Sequence, residues 1–267
     1  MTPTEIKSAL MKLGGKANKR LGQHFLIDRS ALAAIVEAAE IKRGDRVLEI
    51  GPGLGVLTKS LLEQGAKVTA IEKDRRFSEN LNGMKDLDLK MEDAVRVDWD
   101  LLVNKPWKFV SNLPYAITSL ALRKALYAKN PPELIVVLVQ REVAERVLAR
   151  DGKQSLLSLM VALASNKVEI IKRVPAGAFY PPPKVESAIL KITPISNDER
   201  GTRWGIEPED VMAVAKKGFA HPRKLLQRNL QISNDKWQEI FSKIRFDLKV
   251  RAEDVSVEQW VELAKFE

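Results

Sequence analysis

The sequence contains no cysteine, only two histidines and few aromatic residues. Without cysteine it forms no disulfide and offers no thiolate ligand, and two distant histidines give a metal little to coordinate. The first residues lack the basic and apolar segments of a secretory leader. The longest apolar run, residues 134–139, is far shorter than the ~20 residues of a membrane helix. We therefore expect a soluble, cytoplasmic protein without metal or membrane attachment.

What the sequence does contain is an excess of positive charge on a chain large enough for two domains. It has 267 residues, of which 45% are hydrophobic, and a formal net charge of +9. A basic surface attracts phosphate chains by releasing their counterions, which favours a nucleic acid partner. A charged face that serves only solubility explains the same composition, so charge alone does not decide.

Three closely spaced glycines, Gly51, Gly53 and Gly55, end an apolar run that predicts a buried strand. A helical pattern follows directly, so bare backbone amides lie at a helix N-terminus and suit a nucleotide-sized ligand. The next predicted strand ends at Glu72, about twenty residues after the first glycine, where a carboxylate accepts both hydroxyls of a ribose. Together these features predict an α/β, Rossmann-like domain that binds an adenosine-type cofactor.

The tetrapeptide Asn112-Leu113-Pro114-Tyr115 follows the fourth predicted strand. An adenine N6 amine is a poor nucleophile because its lone pair is delocalised, so an enzyme that methylates it needs acceptors for both N–H groups. Asn112 supplies an amide oxygen, and Pro114 biases Leu113 to an extended conformation that turns its carbonyl outward. The Tyr115 ring offers a flat face to an extruded base. A simple turn with a core tyrosine is the alternative.

Two further candidates have an equally plain structural explanation. Asp93 follows the third predicted strand, where it would bind a cofactor adenine or cap a helix. A stiff loop with three consecutive prolines carries Phe179 and Lys184. Phe179 would form a wall for a base or would simply be a buried core residue. Lys184 would reach a phosphate.

A polar, turn-rich segment at residues 194–202 divides the predicted Rossmann-like domain, 1–196, from a smaller all-helical domain, 197–267. Five cations and no acid lie between residues 216 and 228. A predicted helix over 222–230 places Lys224 and Arg228 on one face. We expect the second domain to bind RNA through Arg223, Lys224 and Arg228, with a merely solvated face as the alternative.

In their order and spacing, these motifs resemble the ribosomal-RNA adenine dimethyltransferases, most closely the small-subunit branch. The segments that carry the resemblance are Gln23–Leu26, Glu49–Gly55, Glu72, Asp93, Asn112–Tyr115 and Phe179–Ser187. It implies a Rossmann-like methyltransferase domain with S-adenosylmethionine as cofactor. It also implies conversion of two adjacent adenines near the 3′ end of small-subunit rRNA to N6,N6-dimethyladenosine, and we expect a monomer that acts on the small ribosomal subunit.

The resemblance also implies a role for each matching residue. The cofactor would contact Gln23, His24, Leu26, Gly51, Gly53, Glu72, Asp93, Ala94 and Asn112. The target base would contact Asn112, Leu113, Tyr115 and Phe179. His24 stands where many relatives have asparagine, which leaves its role open.

Three other functions remain open from the residues alone. A large-subunit rRNA methyltransferase of the macrolide-resistance type shares nearly all of these motifs. A ribosome-assembly factor could retain the fold without catalysis, although the intact Asn112–Tyr115 segment argues against binding alone. A DNA adenine methyltransferase would favour Asp/Asn-Pro-Pro-Tyr over the sequence found here.

Overall fold

The computed structural model describes residues 1–104, 106–149, 152–244, 247 and 249–266. The described strands are β1 Phe25–Leu26, β2 Arg46–Ile50, β3 Lys67–Ile71, β4 Leu87–Lys90, β5 Lys108–Asn112, β6 Leu134–Gln140, β7 Ser165–Val174, β8 Phe179–Tyr180 and β9 Ser187–Pro194. The described α-helices are α1 Pro3–Lys12, α2 Arg29–Ala38, α3 Val56–Glu63, α4 Ser78–Asn82, α5 Thr118–Leu126, α6 Arg141–Val147, α7 Leu156–Leu163, α8 Asn197–Trp204, α9 Pro208–Gly218, α10 Leu226–Leu230, α11 Asn234–Ile244 and α12 Val257–Ala264. None of these helices combines the length and apolar composition needed to span a membrane.

The chain divides into two compact units. The sheet unit comprises residues 1–144 and 167–194, and the helical unit comprises 145–166 and 195–267. The sequence pattern assigns 145–166 to the first domain, whereas the structure packs this segment with the later helices. The reason is that Leu159 and Leu163 of α7 are fully buried in the core of the helical unit. The predicted division into two domains between residues 196 and 197 stays a prediction.

The sheet unit is built on a seven-stranded sheet with the order β4-β3-β2-β5-β6-β9-β7. The neighbours from β4 to β6 are parallel, and β9 runs antiparallel to β6. The strand order reverses between β2 and β5, which opens a crevice at their carboxyl ends. This arrangement confirms the predicted α/β, Rossmann-like fold and shows where a ligand site is to be sought.

Side-chain hydrogen bonds cap the first turns of several helices. Thr2 and Glu5 form a reciprocal capping box at the start of α1. Asp28 accepts a backbone hydrogen bond in the first turn of α2. Ser256 and Gln259 form a second capping box at α12. Each of these caps satisfies backbone N–H groups that a helix start leaves free.

An N-terminal arm is attached by a two-stranded antiparallel sheet to the second chain segment of the sheet unit. Strand β1 runs antiparallel to β8, with Phe25 opposite Tyr180 and Leu26 opposite Phe179. The Phe25 ring also packs edge-to-face on Phe77, with centroids 5.9 Å apart. These contacts fix residues 23–26 beside the proline-rich loop.

The helical unit encloses an apolar core of its own. Its fully buried members include Val211, Leu226 and Trp260. Gly218 of α9 is required by this packing, because a Cβ there would collide with the Trp260 ring.

Candidate active site

A cavity of about 280 Å³ lies at the carboxyl ends of β2, β3 and β5, within the sheet unit. The predicted cofactor residues all line it: Gln23, His24, Leu26, Gly51, Gly53, Glu72, Asp93, Ala94 and Asn112. Leu113 and Tyr115, predicted to hold the target base, line it as well. Among the residues that the structure describes, no group of three or more His, Asp or Glu side chains is arranged to hold a metal.

The glycines form a cradle that no other residue fits well. Gly51, Gly53 and Gly55 have φ angles of 68°, 56° and 75°, a region that L side chains avoid. A Cβ on Gly53 would lie 3.0 Å from the Phe25 ring, and one on Gly51 would lie 3.3 Å from the Pro114 ring. The turn therefore leaves its backbone uncovered by side chains, so that a ligand can approach it closely, as an adenosine-type cofactor requires.

Glu72 is held at the edge of this cradle by backbone amides. Its Oε2 accepts from Gly53 N at 3.0 Å and its Oε1 accepts from Asp74 N at 2.7 Å. Burial raises the pKa of Glu72, while the two backbone bonds act in the opposite direction. A carboxylate has about four lone-pair positions, so acceptor capacity remains for two ribose hydroxyls.

Glu49 is a residue of the cavity whose role the sequence reasoning missed. It is 1% exposed, and its Oε2 has no hydrogen-bond partner among the described residues. Burial raises its pKa to about 8, and the neighbouring Glu72 charge acts in the same direction. The available signal was an acid inside the otherwise apolar run of β2. An unpartnered buried acceptor fits a positively charged ligand.

Asp93 and Ala94 belong to a loop that is fixed from several sides. Asp93 pairs with Lys73 Nζ at 2.9 Å, which lowers its pKa, and it accepts from the backbone amide two residues later. The Ala94 carbonyl accepts from Trp99 Nε1 at 3.0 Å and from Lys124 Nζ at 3.1 Å. Asp93 thus caps its own turn and also lines the cavity. Its contact with a cofactor adenine stays a prediction.

Two oxygen acceptors are available at the end of β5. Asn112 Nδ2 donates to the His24 carbonyl at 3.2 Å, which fixes the orientation of the amide because a carbonyl only accepts. None of the described residues donates a hydrogen bond to Asn112 Oδ1. The Leu113 amide donates to the Leu138 carbonyl at 3.2 Å. The Leu113 carbonyl receives no hydrogen bond from the part of the chain that the structure describes. This pair matches the two acceptors that an adenine amine requires.

The Tyr115 ring is held at its hydroxyl and on one face. Its Oη lies 2.7 Å from Ser187 Oγ, and the His24 ring stacks on it with centroids 5.9 Å apart and 22° between the planes. His24 Nδ1 donates to the Pro181 carbonyl at 2.7 Å. Burial raises the pKa of the Tyr115 phenol. Tyr115 therefore offers a ring face rather than a hydroxyl to a ligand.

Phe179 does not line the cavity in which the target base is predicted to bind. It is 2% exposed, belongs to the apolar core together with Leu26 and Ile189, and does not line the cavity. The pairing of β8 with β1 turns its ring into the core, and the ring that stacks on Tyr115 is that of His24. The predicted role of Phe179 as a wall for the base has no support from this geometry.

The residues predicted to contact RNA are exposed, but the predicted helix face shared by two of them is wrong. Lys184 lies in the sheet unit, and Arg223, Lys224 and Arg228 lie in the helical unit. Helix α10 begins at Leu226, so Lys224 precedes it and does not share a helix face with Arg228. The Leu226 amide instead donates to the Val250 carbonyl at 2.9 Å, a long-range bond that sequence periodicity does not reveal.

Comparison with known proteins gives consistent matches over nearly the whole chain. A family model described as ribosomal RNA adenine dimethylase matches residues 14–267. The chain is 39% identical over 258 residues to a ribosomal RNA small subunit methyltransferase A of Dehalococcoides mccartyi, covering 93% of this chain and 87% of the relative. It is 37% identical over 270 residues to the protein of that name from Nostoc sp., covering 93% and 97%.

Solved structures agree in fold. The 23S rRNA methyltransferase ErmE is 26% identical with a TM-score of 0.68, covering 91% of this chain and 98% of that one. A dimethyladenosine transferase from Plasmodium falciparum is 26% identical with a TM-score of 0.70, covering 90% and 96%.

Proposed function

This chain belongs to the ribosomal RNA adenine dimethylase family, and we propose that its substrate is the RNA of the small ribosomal subunit. As a member it is an S-adenosylmethionine-dependent enzyme that dimethylates rRNA adenines at N6. The choice of subunit rests on one observation. The relatives named as small-subunit methyltransferases are 35–39% identical to this chain, whereas the 23S enzyme ErmE is 26% identical. The proposed targets are two adjacent adenines near the 3′ end of that RNA.

The cavity residues suit the cofactor. S-adenosylmethionine supplies an electrophilic methyl group carried on a sulfonium. The backbone of Gly51 and Gly53, which carries no side chains, would allow its close approach. The remaining lone pairs of Glu72 would hold the ribose, and the loop of Asp93 and Ala94 would bind the adenine. Gln23, His24, Leu26 and Asn112 border its methionine end. Glu49 places an unpartnered acceptor in the same cavity, which matches the positive charge of the cofactor.

The target amine is oriented by the two free acceptors. Asn112 Oδ1 and the Leu113 carbonyl accept the two N6 hydrogens, which favours a pyramidal nitrogen with its lone pair directed toward the methyl group. N6 becomes acidic only after it gains the methyl group, so its proton passes to water or a nearby acceptor without a strong general base. A monomethylated amine has one hydrogen left, so a single acceptor suffices for the second transfer.

The other proposals concern the partner and its location. Lys184, Arg223, Lys224 and Arg228 are exposed cations that we infer to contact RNA phosphates, on a chain of net charge +9. Loss of one such contact would reduce the slope of log affinity against log salt by about one. An enzyme of this substrate would work as a monomer in the cytoplasm, where ribosomes are assembled.

The experiment offers both possible RNAs to the purified enzyme. Small and large ribosomal subunits that lack adenine dimethylation are incubated with methyl-labelled S-adenosylmethionine, and the adenines are then identified by mass spectrometry. We expect two neighbouring dimethyladenosines in the small-subunit RNA. Label confined to large-subunit RNA would overturn the proposal in favour of the macrolide-resistance type of activity. Particle binding without transfer of label would favour an assembly factor.

A further inference from the structure

Ser187 is a buried hydroxyl that the reaction described above does not use. It begins β9, opposite Gln140 of β6, and it is fully buried. Its Oγ lies 2.7 Å from the Tyr115 hydroxyl, and no other hydrogen bond to it is found among the described residues. A buried hydroxyl whose one side-chain partner, Tyr115, lines the reaction cavity calls for an explanation.

The Ser187 bond is the one side-chain hydrogen bond that the Tyr115 hydroxyl makes to the described residues. Tyr115 begins a short 3-10 turn directly after Pro114, and its ring is only partly buried. Among the described residues, the ring that stacks on it is His24, itself fixed by the Pro181 carbonyl. Both tethers come from the same proline-rich segment, residues 181–187. That segment thus sets the orientation of two stacked rings that line the cavity.

We propose that Ser187 is a positioning residue for methyl transfer, because its hydroxyl holds the Tyr115 ring in the orientation that receives the target adenine. This inference rests on the proposed role of Tyr115 as a platform for the base. Since the Tyr115 hydroxyl is engaged with Ser187, the side chain cannot swing about its Cα–Cβ bond without breaking that contact. The stack with His24 restrains the plane of the ring. The adenine then meets a fixed surface, which keeps N6 within reach of Asn112 and Leu113.

A tether makes a prediction that general packing does not. Tyr115→Phe and Ser187→Ala each break the same hydrogen bond, so the second change should add little once the first has been made. Effects on packing at two separate places would instead multiply. Removing both partners also avoids leaving a buried hydroxyl unsatisfied, so the double variant should be no less stable than Ser187→Ala alone.

The test compares Ser187→Ala, Tyr115→Phe and the double variant in single-turnover methylation of unmodified small subunits at saturating S-adenosylmethionine. We expect the rate to fall about 10-fold in each of the three variants, since small displacements of a reacting group are costly. Affinities for cofactor and for particles should stay at the wild-type level. Ser165→Ala is the matched control, because its buried hydroxyl donates to the Val161 carbonyl at 2.7 Å, in the helical unit. Its rate should be unchanged.

Different results would overturn different statements. A double variant about 100-fold slower, from two multiplying effects, would refute the tether. An unchanged rate in Tyr115→Phe would also refute it, even if Ser187→Ala failed to fold. Tyr115→Ala separates this from the proposed function. If Tyr115→Ala is slow while Tyr115→Phe is normal, only the tether fails, whereas normal methylation by Tyr115→Ala would remove the base platform itself.

Discussion

The two ends of the reaction cavity are built by different kinds of interaction. At the cofactor end, the shape comes from backbone conformation, with glycines at positive φ and Glu72 bonded to the amides of Gly53 and Asp74. At the base end, the shape comes from side chains tied to distant parts of the chain. Asn112 bonds to a residue 88 positions away, and Tyr115 to one 72 positions away. The cofactor end is local in sequence, and the base end is a product of tertiary structure.

Because of this difference, substitutions at the two ends should impair different properties of the enzyme. A side chain introduced into the glycine turn should obstruct the cofactor and strain the backbone, which should lower cofactor affinity and protein stability. Removal of one hydrogen-bonding atom at the base end should misplace the target base, which should lower the rate of methyl transfer. Substitutions at the two ends should therefore give opposite kinetic signatures.

The largest effect is expected at the base end, for Asn112→Ala. This change removes one of the two acceptors for the target amine, and loss of one preorganised hydrogen-bonding group costs about 10²-fold to 10³-fold in rate. Particle binding should stay unchanged, because the proposed RNA contacts lie elsewhere. The measurements are single-turnover methylation and particle co-sedimentation.

Asn80→Ala is the matched control for that experiment. Asn80 Nδ2 donates to the Leu54 carbonyl at 3.1 Å, much as Asn112 donates to His24, but Asn80 does not line the cavity. The control should methylate normally. Retained methylation in Asn112→Ala would remove the residue from the mechanism.

The next effect is expected at the cofactor end, for Gly53→Ala. The left-handed backbone costs a non-glycine residue about 1–2 kcal/mol, and the new Cβ would press against the Phe25 ring at 3.0 Å. We expect a lower free energy of unfolding and an affinity for S-adenosylmethionine that is weaker by about 10-fold, measured by calorimetry.

Gly83→Ala is the control for the cradle, because its φ is −84° and a Cβ there meets nothing within 4 Å. Its cofactor affinity should match that of the wild type. If Gly53→Ala bound the cofactor normally and lost only its transfer rate, the proposed division between the two ends would be wrong.

The cofactor end was easier to predict from the sequence than the base end, for a physical reason. Glycine spacing and a following acid determine a strand, a turn and a carboxylate within a few tens of residues. The positions of Gly51, Gly53 and Glu72 in the cavity were therefore predictable. The Tyr115–Ser187 bond and the His24 stack depend on how β9 and the proline-rich loop return to β5. No short-range pattern encodes that return, and Phe179 was assigned to the base for the same reason. A buried residue and an exposed one look alike in such a loop.

Glu49 provides a pH test of the cofactor end. Its folded pKa of about 8 lies above its ordinary value of 4.5, so the folded state holds the proton more tightly than the unfolded state. The stabilisation is fully present below pH 4.5 and is lost as the pH rises toward 8, by up to about 1.4 kcal/mol for each pH unit. Chemical denaturation at several pH values should show a smaller loss in Glu49→Gln.

Some pH dependence should remain in that variant, because burial also raises the pKa of Glu72. The cationic cofactor should favour ionised Glu49, so its stabilising effect on the wild type should grow between pH 6 and pH 8. Identical pH profiles for wild type and Glu49→Gln would show that Glu49 does not titrate in this range.

The smallest effect is expected for His24→Asn, which tests whether the stack on Tyr115 belongs to the base end. Asparagine keeps an N–H donor near the Pro181 carbonyl but removes a ring, and aromatic pairs contribute about 0.5–1.5 kcal/mol beyond burial. We expect the transfer rate to fall about 3-fold, with little change in the affinity for S-adenosylmethionine. His24 also lines the cofactor cavity, so the opposite result is informative: weaker cofactor binding at an unchanged rate would place His24 with the cradle. The two ends would then meet at this residue, because its backbone carbonyl anchors Asn112 while its side chain would serve the cofactor.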